Sequence, residues 1–415
     1  MRFDKWAVIA LLSAGMVVAY VDRANLSVVL ATAEVRDAFH LTDSMRGWLN
    51  SAFFWSYALL QIPAGWLVDR YGVKRPYAVG FLLWTLISAA TGLVNGVSQL
   101  VVLRVLLGAG ESIGAPASLR WIRWNCPEER RGLAVGIYMA GTKIGSAIGV
   151  PIAAFLITAF SWRTMFVICG FAGLAWLVAW LFLAGDTAQA AASPVQDAPS
   201  PGFEFSDLMT SRVTWGILLG TFSYGYFLYF CVTWLPAYLV EHRHLALNSM
   251  GLYALFSFGG MAVVAILAGW LADGMIRRGA DPARTRKGFT ILGFLLASTE
   301  VFGALSNSES VALFFAVFSL AGLGLATANY WALTQTLVPG RVIGRIAGIQ
   351  NCASNLGGVA APIITGWLKQ SSGGYVLPMQ AIWIVLLVGI ASYVLLVRPP
   401  YLPTRRTADY VVKGG

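Results

Sequence analysis

Twelve stretches of this chain are nearly free of charge and long enough to cross a bilayer: 6–31, 46–68, 76–95, 98–119, 132–158, 163–184, 213–240, 248–272, 288–306, 309–337, 342–368 and 378–397. About 20 apolar residues in helical conformation span the hydrocarbon core. Helices are also how a single chain satisfies its backbone polar groups there without closing a barrel. The expected fold class is therefore an all-α integral membrane protein of twelve transmembrane helices. Composition agrees: 58% of the 415 residues are hydrophobic and 12% charged, about half the charge of a soluble domain. The first block is too long for a secretory leader and lacks a small-residue cleavage site, so it is read as a retained helix. Cys126, Cys169, Cys231 and Cys352 show no paired spacing and read as small apolar residues.

Between the sixth and seventh blocks, 186–210 is rich in Ala, Ser, Pro and Asp and carries no apolar period. It reads as a flexible linker, with a short surface helix expected around Phe203–Phe205. The domain expectation is a six-helix bundle over 1–185, the linker, a second bundle over 211–400 and a tail over 401–415. Lys and Arg alternate strongly between loops. One set of loops and ends holds Arg2, Lys5, Arg70, Lys74, Arg75, Arg120, Arg123, Arg130, Arg131, Arg277, Arg278, Arg284, Arg286, Lys287, Arg341, Arg345, Arg398, Arg405, Arg406 and Lys413. The other holds Arg36, Arg46, Arg163, Arg243 and Lys369, a bias of about four to one. Both termini are accordingly expected in the cytoplasm of a cell inner (plasma) membrane. The net charge of +10 is a topology signal, and no nucleic-acid partner is required.

The two halves echo each other. Gly65-Trp66-Leu67-Val68-Asp69 ends the second block and Gly269-Trp270-Leu271-Ala272-Asp273 the eighth, each followed by basic residues. Ala134-Val135-Gly136-Ile137 with Gly145 and Pro151 is matched by Ile346-Ala347-Gly348-Ile349 with Gly357 and Pro362. A duplicated six-helix half marks a carrier with two similar bundles around a central site.

Charge inside the apolar blocks marks the candidate site. Tyr20-Val21-Asp22-Arg23-Ala24-Asn25 places a carboxylate beside a guanidinium within the first block, a costly arrangement that is tolerated where it faces a bundle interior or watery cavity; the other readings are a helix end in the headgroups and a structural tie between helices. In the fourth block Arg104 and Glu111 stand two turns apart on one face, too far to pair with each other. Asp22 is the obvious partner for Arg104. Glu111, among Gly108, Gly110 and Gly114, is suited to bind and release protons; the plainer readings of these charges are a static salt bridge and a polar cap facing solvent. Lys143 lies near the middle of the fifth block. Either it faces the cavity and adds positive charge for a second carboxylate, or it pairs with Glu111 or Asp22. Around it, Gly141, Gly145 and Gly149 form a packing ridge, and Pro151 is expected to bend the helix. Tyr224, Tyr226 and Tyr229 precede an expected break over Thr233–Pro236; these aromatics either gate one end of the cavity or simply pack.

The loop Gly65-x-x-x-Asp69-Arg70-x-Gly72-x-Lys74-Arg75 resembles the signature of the major facilitator superfamily. Its physical logic is a glycine for close helix approach, then an acidic helix end that faces Arg residues and neighbouring dipoles, a contact able to latch one state and release another. Gly65, Asp69, Arg70 and Asp273 are the expected latch. The Tyr-x-Asp-Arg-x-Asn set with Arg-x6-Glu is similar to the anion:cation symporter family within that superfamily, which includes carriers of galactonate, glucarate and hexuronates. The resemblance implies that Arg23 binds a substrate carboxylate, that Asp22 and Glu111 carry protons, and that Arg104 pairs with one of them according to state. It also implies that Tyr20, Tyr57, Trp331 and Asn351 contact substrate. The chemistry of these side chains suits the roles: a guanidinium grips a carboxylate with two prongs, Tyr57, Gln350 and Asn351 bond hydroxyls, and Trp331 offers a flat apolar wall. Tyr20, Tyr57 and Trp331 are equally readable as packed or interfacial aromatics, and Asn351 as a bridge between helices.

The expected function is proton-coupled import of a small organic anion, foremost a sugar acid (hexonate, hexuronate or aldarate), by alternating access. The alternatives are a proton-independent exchanger or facilitator and a membrane sensor without turnover. The partners expected are the anion, protons and membrane lipid, with the chain acting as a monomer. No cofactor is expected, and the coupling ion is the proton. No nucleophile–base set or metal cluster argues for an enzyme, and His40, His242 and His244 all fall in predicted outer loops.

Overall fold

The computed structural model describes residues 5–185, 209–338, 343–399 and 401. The expected surface helix at 203–205, all but the end of the 186–210 linker, and the tail beyond 401 lie outside the described residues. The elements run α1 (Lys5–Ala31), α2 (Ala33–Ala38), α3 (Asp43–Tyr71), α4 (Lys74–Thr91), α5 (Val97–Glu111), α6 (Gly114–Asn125), α7 (Glu128–Ala159) and α8 (Trp162–Leu183). They continue as α9 (Arg212–Ala237), a π-helical turn (Tyr238–His242), α10 (Leu247–Arg277), α11 (Pro282–Ala297), α12 (Glu300–Leu305), α13 (Glu309–Leu337), α14 (Ile343–Ser372) and α15 (Val376–Leu395). Every apolar block becomes one helix or one broken helix. Among the described residues, nine spans are long and apolar enough to cross a membrane. The blocks outside that group are α3, α4 and α14, where Trp, Tyr, Asn, Gln, Gly or terminal charges dilute the apolar character. The fold is an all-α membrane fold.

The fourth block differs from the continuous helix expected. It breaks at Ser112–Ile113 between α5 and α6. Pro116 has no N–H to return to the Ser112 carbonyl, and beside it the Ser112 hydroxyl donates to the Ala109 carbonyl at 2.7 Å. Conversely, the break expected at Thr233–Pro236 is absent. α9 runs through Pro236, and the ladder then widens to a π turn closed by the Arg243 N–H on the Tyr238 carbonyl at 3.2 Å.

The described residues form two compact units. The first holds those of Met1–Pro194 with Cys231–Phe256 and Pro362–Gly374; the second holds those of Val195–Phe230, Ser257–Ala361 and Tyr375–Gly415. Small residues set the packing within each, as expected where lipid removes the hydrophobic drive between helices. In the first unit, α7 lies on α1 through the Gly141, Gly145 and Gly149 ridge. A side chain at Gly145 would come within 2.7 Å of Tyr20, and one at Gly149 within 3.0 Å of Val21. α4 and α8 meet at Gly170 and Gly173, beside a stack in which Trp176 lies 3.8 Å from Phe81 and 5.3 Å from Trp180 between ring centroids. In the second unit, Gly357 lies on α9 at Tyr226, and Gly293 on α13 at Ala326.

Two later segments join the first unit by charge. Arg46 on α3 is 1% exposed and donates to Asp43 at 2.9 Å and to Glu241, in the π turn, at 2.6 and 3.2 Å. Lys369 on α14 donates to the same two carboxylates at 2.6 and 3.0 Å, and Arg36 reaches Glu241 at 3.3 Å. The Arg46 guanidinium also lies 4.8 Å from the Trp234 ring.

Candidate functional site

Adjacent residues of a helix point about 100° apart, so α1 sends Asp22 and Arg23 to different neighbours. Arg23 reaches α5. Its Nε and Nη2 both donate to Glu111 Oε2, each at 2.8 Å. Its guanidinium lies 4.7 Å from the centroids of Tyr20 and Phe53 and 4.6 Å from that of Tyr57. Phe53 and Tyr57 stack on each other at 5.3 Å. The result is a cation in an aromatic cage, held by a carboxylate that is itself 3% exposed.

Asp22 turns to α4. Trp84 Nε1 donates to Oδ2 at 2.7 Å, while Ser88 Oγ at 2.9 Å and Asn25 Nδ2 at 3.4 Å donate to Oδ1. The expected Asp22–Arg104 pair is therefore replaced by a neutral cradle. Trp84 and Ser88 stand four residues apart on one face of α4, so both reach a single carboxylate. Arg104 is 2% exposed, lies within electrostatic reach of Asp22 and Glu111, and sits 5.9 Å from the Phe166 ring. Its Nε and Nη2 have no hydrogen-bond partner among the described residues.

The glycines around Glu111 have separate duties. Gly108 lies against Phe53 and Ser56 of α3, where the Ser56 hydroxyl donates to the Val105 carbonyl at 2.6 Å. Gly110 lies against Trp84 of α4. Both approaches bring cage and cradle to the end of α5, which the Pro116 break then terminates at Glu111. Lys143 on α7 is partly buried and forms no ion pair or hydrogen bond among the described residues, so neither Glu111 nor Asp22 is its partner.

The other expected substrate contacts lie in the second unit. Trp331 on α13 is partly exposed, with its ring 5.5 Å from that of Tyr330. Tyr330 in turn packs 4.5 Å from Tyr224, whose hydroxyl shares a hydrogen bond with Thr327. Asn351 on α14 is partly buried, and its carbonyl accepts from Asn355 at 2.9 Å. Gln350 is fully buried and donates to Thr221 of α9 at 3.0 Å, a tie between helices.

The latch residues divide similarly. Asp69 pairs with Arg120 of α6, Asp273 with Arg286 of α11 at 2.8 Å, and Arg70 lies over the Trp66 ring at 5.4 Å. Close approach at Gly65 is not observed: a side chain there would meet nothing within 4 Å among the described residues. The glycine required by backbone geometry is Gly72, with φ of 80° at the end of α3.

Two features escaped the sequence reading. The Asp43, Arg46, Glu241 and Lys369 cluster was hidden because its bases were counted only as topology signals. Its signal was the pair of acids that share those loop ends. Glu300, at the start of α12, is 3% exposed and accepts from the Ser319 hydroxyl; it falls at a helix break that the apolar run concealed.

A family model described as Major Facilitator Superfamily matches residues 12–362. A "D-galactonate transporter" of Escherichia coli O6:H1 is 31% identical over 405 residues, covering 92% of this chain and 93% of that protein. A "Hexuronate transporter" of Bacillus subtilis (strain 168) is 28% identical, covering 90% of each. The crystal structure of a bacterial homolog to the human lysosomal transporter Spinster, in an inward-facing and occupied conformation, superposes with a TM-score of 0.81 at 17% identity, over 95% of this chain and 97% of that one.

Proposed function

The chain belongs to the Major Facilitator Superfamily, and on that premise we propose that it is a proton-coupled importer of a sugar acid: a hexonate, hexuronate or aldarate. The relatives named for galactonate and hexuronate transport support this substrate class. The observation that carries the mechanism is the Arg23–Glu111 pair. Arg23 spends two N–H groups on one Glu111 oxygen, and a substrate carboxylate needs the same two-pronged face. Glu111 and substrate therefore compete. Protonation neutralises Glu111 and releases Arg23 to the substrate, so proton and anion load together. Tyr20 and Tyr57 form the walls around that carboxylate. Trp331, Asn351 and Gln350 are proposed contacts for the remainder of the molecule. Asp22 is the second proton carrier, and Arg104 the cation that answers whichever of the two carboxylates is ionised.

The bodies proposed to move are 1–185 and 211–400, joined by 186–210 and followed by the 401–415 tail. Both termini are assigned to the cytoplasm of the inner membrane, and the working unit is a monomer without a cofactor. The Asp69–Arg120 and Asp273–Arg286 pairs then act on the cytoplasmic side, and the Arg46–Glu241 cluster on the outer side.

Uptake of labelled six-carbon sugar acids into proteoliposomes under a proton gradient tests the reading. Accumulation is expected to collapse with a protonophore, and Arg23→Ala is expected to abolish both uptake and the ligand-induced rise in melting temperature. Uptake indifferent to the protonophore selects the exchanger or facilitator. Binding without uptake selects the sensor.

A further inference from the structure

Arg23 occupies one oxygen of Glu111 and leaves the other. Oε1 is buried and has no hydrogen-bond partner among the described residues, so it is the atom open to a coupling proton. Glu111 is 3% exposed, and a proton it gives up needs a path out of the unit.

Hydroxyl groups stand on that path. α4 packs on α5 and α6 so that a side chain at Gly110 would meet Trp84, and one at Gly114 would come within 3.8 Å of the Tyr77 hydroxyl. Tyr77 is thus set between the levels of Glu111 and Ser118. It lies within electrostatic reach of Glu111 and beside the Ser118 hydroxyl. It also faces Tyr57 of α3 and the rings of Trp176 and Trp180 on α8. Tyr138 of α7 lies beside Ser118 as well, and its own hydroxyl donates to Met16 Sδ at 3.1 Å, a weak acceptor. Ser118 Oγ nevertheless has no direct hydrogen-bond partner among the described residues, and neither has Trp121 Nε1 one turn further on. Buried polar groups are normally satisfied by protein or by ordered water. Glu111 Oε1, Ser118 Oγ and Trp121 Nε1, one after another along α5 and α6, therefore mark places for water between the hydroxyls. Glu111 and Ser118 are about 10 Å apart along the axis at 1.5 Å per residue, roughly four hydrogen bonds of about 2.8 Å. The line runs toward the end of the unit that holds Lys74, Arg120 and Arg123, assigned above to the cytoplasm.

The internal repeat separates packing from chemistry. Gly322 lies against Leu296 as Gly110 lies against Trp84, so Glu111 corresponds to Leu323 and Tyr77 to Phe289. The ring is kept, and the hydroxyl is lost together with the carboxylate. Gly357 matches Gly145, so Tyr138 corresponds to Gln350, whose amide closes directly on Thr221 at 3.0 Å.

We propose that Tyr77 and Ser118 are relay residues that carry the coupling proton from Glu111 to the cytoplasmic end of the unit along a water-linked line of hydroxyls. This rests on the proton-coupled reading above. Each hydroxyl accepts a proton on its oxygen as it gives its own to the next acceptor, so none is left charged, and Glu111 ends ionised. Trp121, a donor only, can hold a water beside Ser118 without passing the proton itself.

The test follows Glu111 directly, by time-resolved infrared spectroscopy of the purified full-length protein after a jump from pH 5 to pH 8. The protonated carboxyl band is assigned by its loss in Glu111→Gln. Tyr77→Phe and Ser118→Ala are each expected to slow the disappearance of that band about tenfold without moving its titration midpoint, and Ser118→Thr to restore the rate. Melting temperatures check that the variants are folded. In proteoliposomes, uptake of labelled galactonate driven by a proton gradient should fall about tenfold in the same two variants. Counterflow, in which Glu111 keeps its proton, should stay within about threefold. Unchanged rates in both variants, or a rate that changes only together with the midpoint, overturn the relay. A wild type without the Glu111 band at pH 5 removes both the relay and Glu111 as a proton carrier. Slowed loss of the band, with galactonate uptake indifferent to a protonophore, keeps the relay as a route to Glu111 and removes the coupled-import reading.

Discussion

Glu111→Gln isolates the competition on which coupling is proposed to rest. In the wild type the Glu111 carboxylate holds Arg23 through two charge-assisted bonds of 2.8 Å in a site from which water is nearly excluded. A hydrogen bond to a charged group contributes about 1.5–3 kcal/mol net, and substrate must displace that hold or wait for a proton. The carboxamide keeps the shape, accepts only a neutral bond and cannot ionise. It imitates protonated Glu111 at every pH. The sign follows: wild-type affinity rises as pH falls, by at most tenfold per pH unit for one proton taken up with substrate. In the variant, the part of that slope due to Glu111 disappears. At pH 8 the variant should bind a sugar acid about tenfold or more tightly than the wild type, since each 1.36 kcal/mol is one decade. Calorimetry at pH 6, 7 and 8 reads the slope, and proteoliposomes read transport. Counterflow should persist while uphill uptake driven by a proton gradient is lost. Weaker binding than wild type at pH 8, or an unchanged slope, would show that Glu111 does not compete with substrate for Arg23.

Gly145→Ala and Gly65→Ala make a contrasting pair in thermal melts. The first forces a methyl within 2.7 Å of Tyr20 and the Val17 backbone and should cost about 1–3 kcal/mol through overpacking; the second meets nothing within 4 Å and should melt no lower than wild type, since Ala outranks Gly in helices by about 1 kcal/mol. Equal melting temperatures for the two would refute the packing account. Glu241→Gln removes the carboxylate that Arg46, Lys369 and Arg36 share and should lower the melting temperature by several degrees, because the buried Arg46 and Lys369 then share the single charge of Asp43; Glu34→Gln, a change to a neighbouring exposed acid, should not. Trp84→Phe withdraws the 2.7 Å donor from Asp22 and should lower stability and slow proton-driven uptake, while substrate affinity stays within threefold because Arg23 and its cage are untouched.

Helix positions were legible in the sequence because apolar run length maps directly onto bilayer thickness. Observed ends such as Glu309–Leu337 and Trp162–Leu183 fall on or within a residue of the expected ones. Pairing was much less legible. Spacing within one helix tells which residues share a face, as with Arg104 and Glu111, and says nothing of which neighbour that face meets. Asp22 looked destined for Arg104, yet Trp84 and Ser88 occupy both of its oxygens. Their sequence signal is ordinary, since an aromatic and a serine in an apolar block read as packing. The break after Glu111 was concealed for a related reason: Pro is tolerated in membrane helices, so Pro116 alone did not announce that α5 ends beside the site.

Both halves inherit one packing plan and only one inherits the chemistry. Gly145 seats α7 on α1, and Gly357 seats α14 on α9 in the same manner. With Val17 matched to Phe222 by those contacts, the α9 counterparts of Asp22 and Arg23 are Phe227 and Leu228. Among the described residues, the buried charged side chains Asp22, Arg23, Arg46, Arg104 and Glu111 all belong to the first unit, and only Glu300 belongs to the second. Helix packing is needed twice because each half must bury its own small-residue ridges. A buried charge carries a desolvation cost wherever it stands, so duplication alone gives no reason to keep it. Among the described residues that cost is carried almost wholly in the first unit, on α1, α5 and the start of α3, so it is in buried charge, and not in the shared packing plan, that the two halves differ.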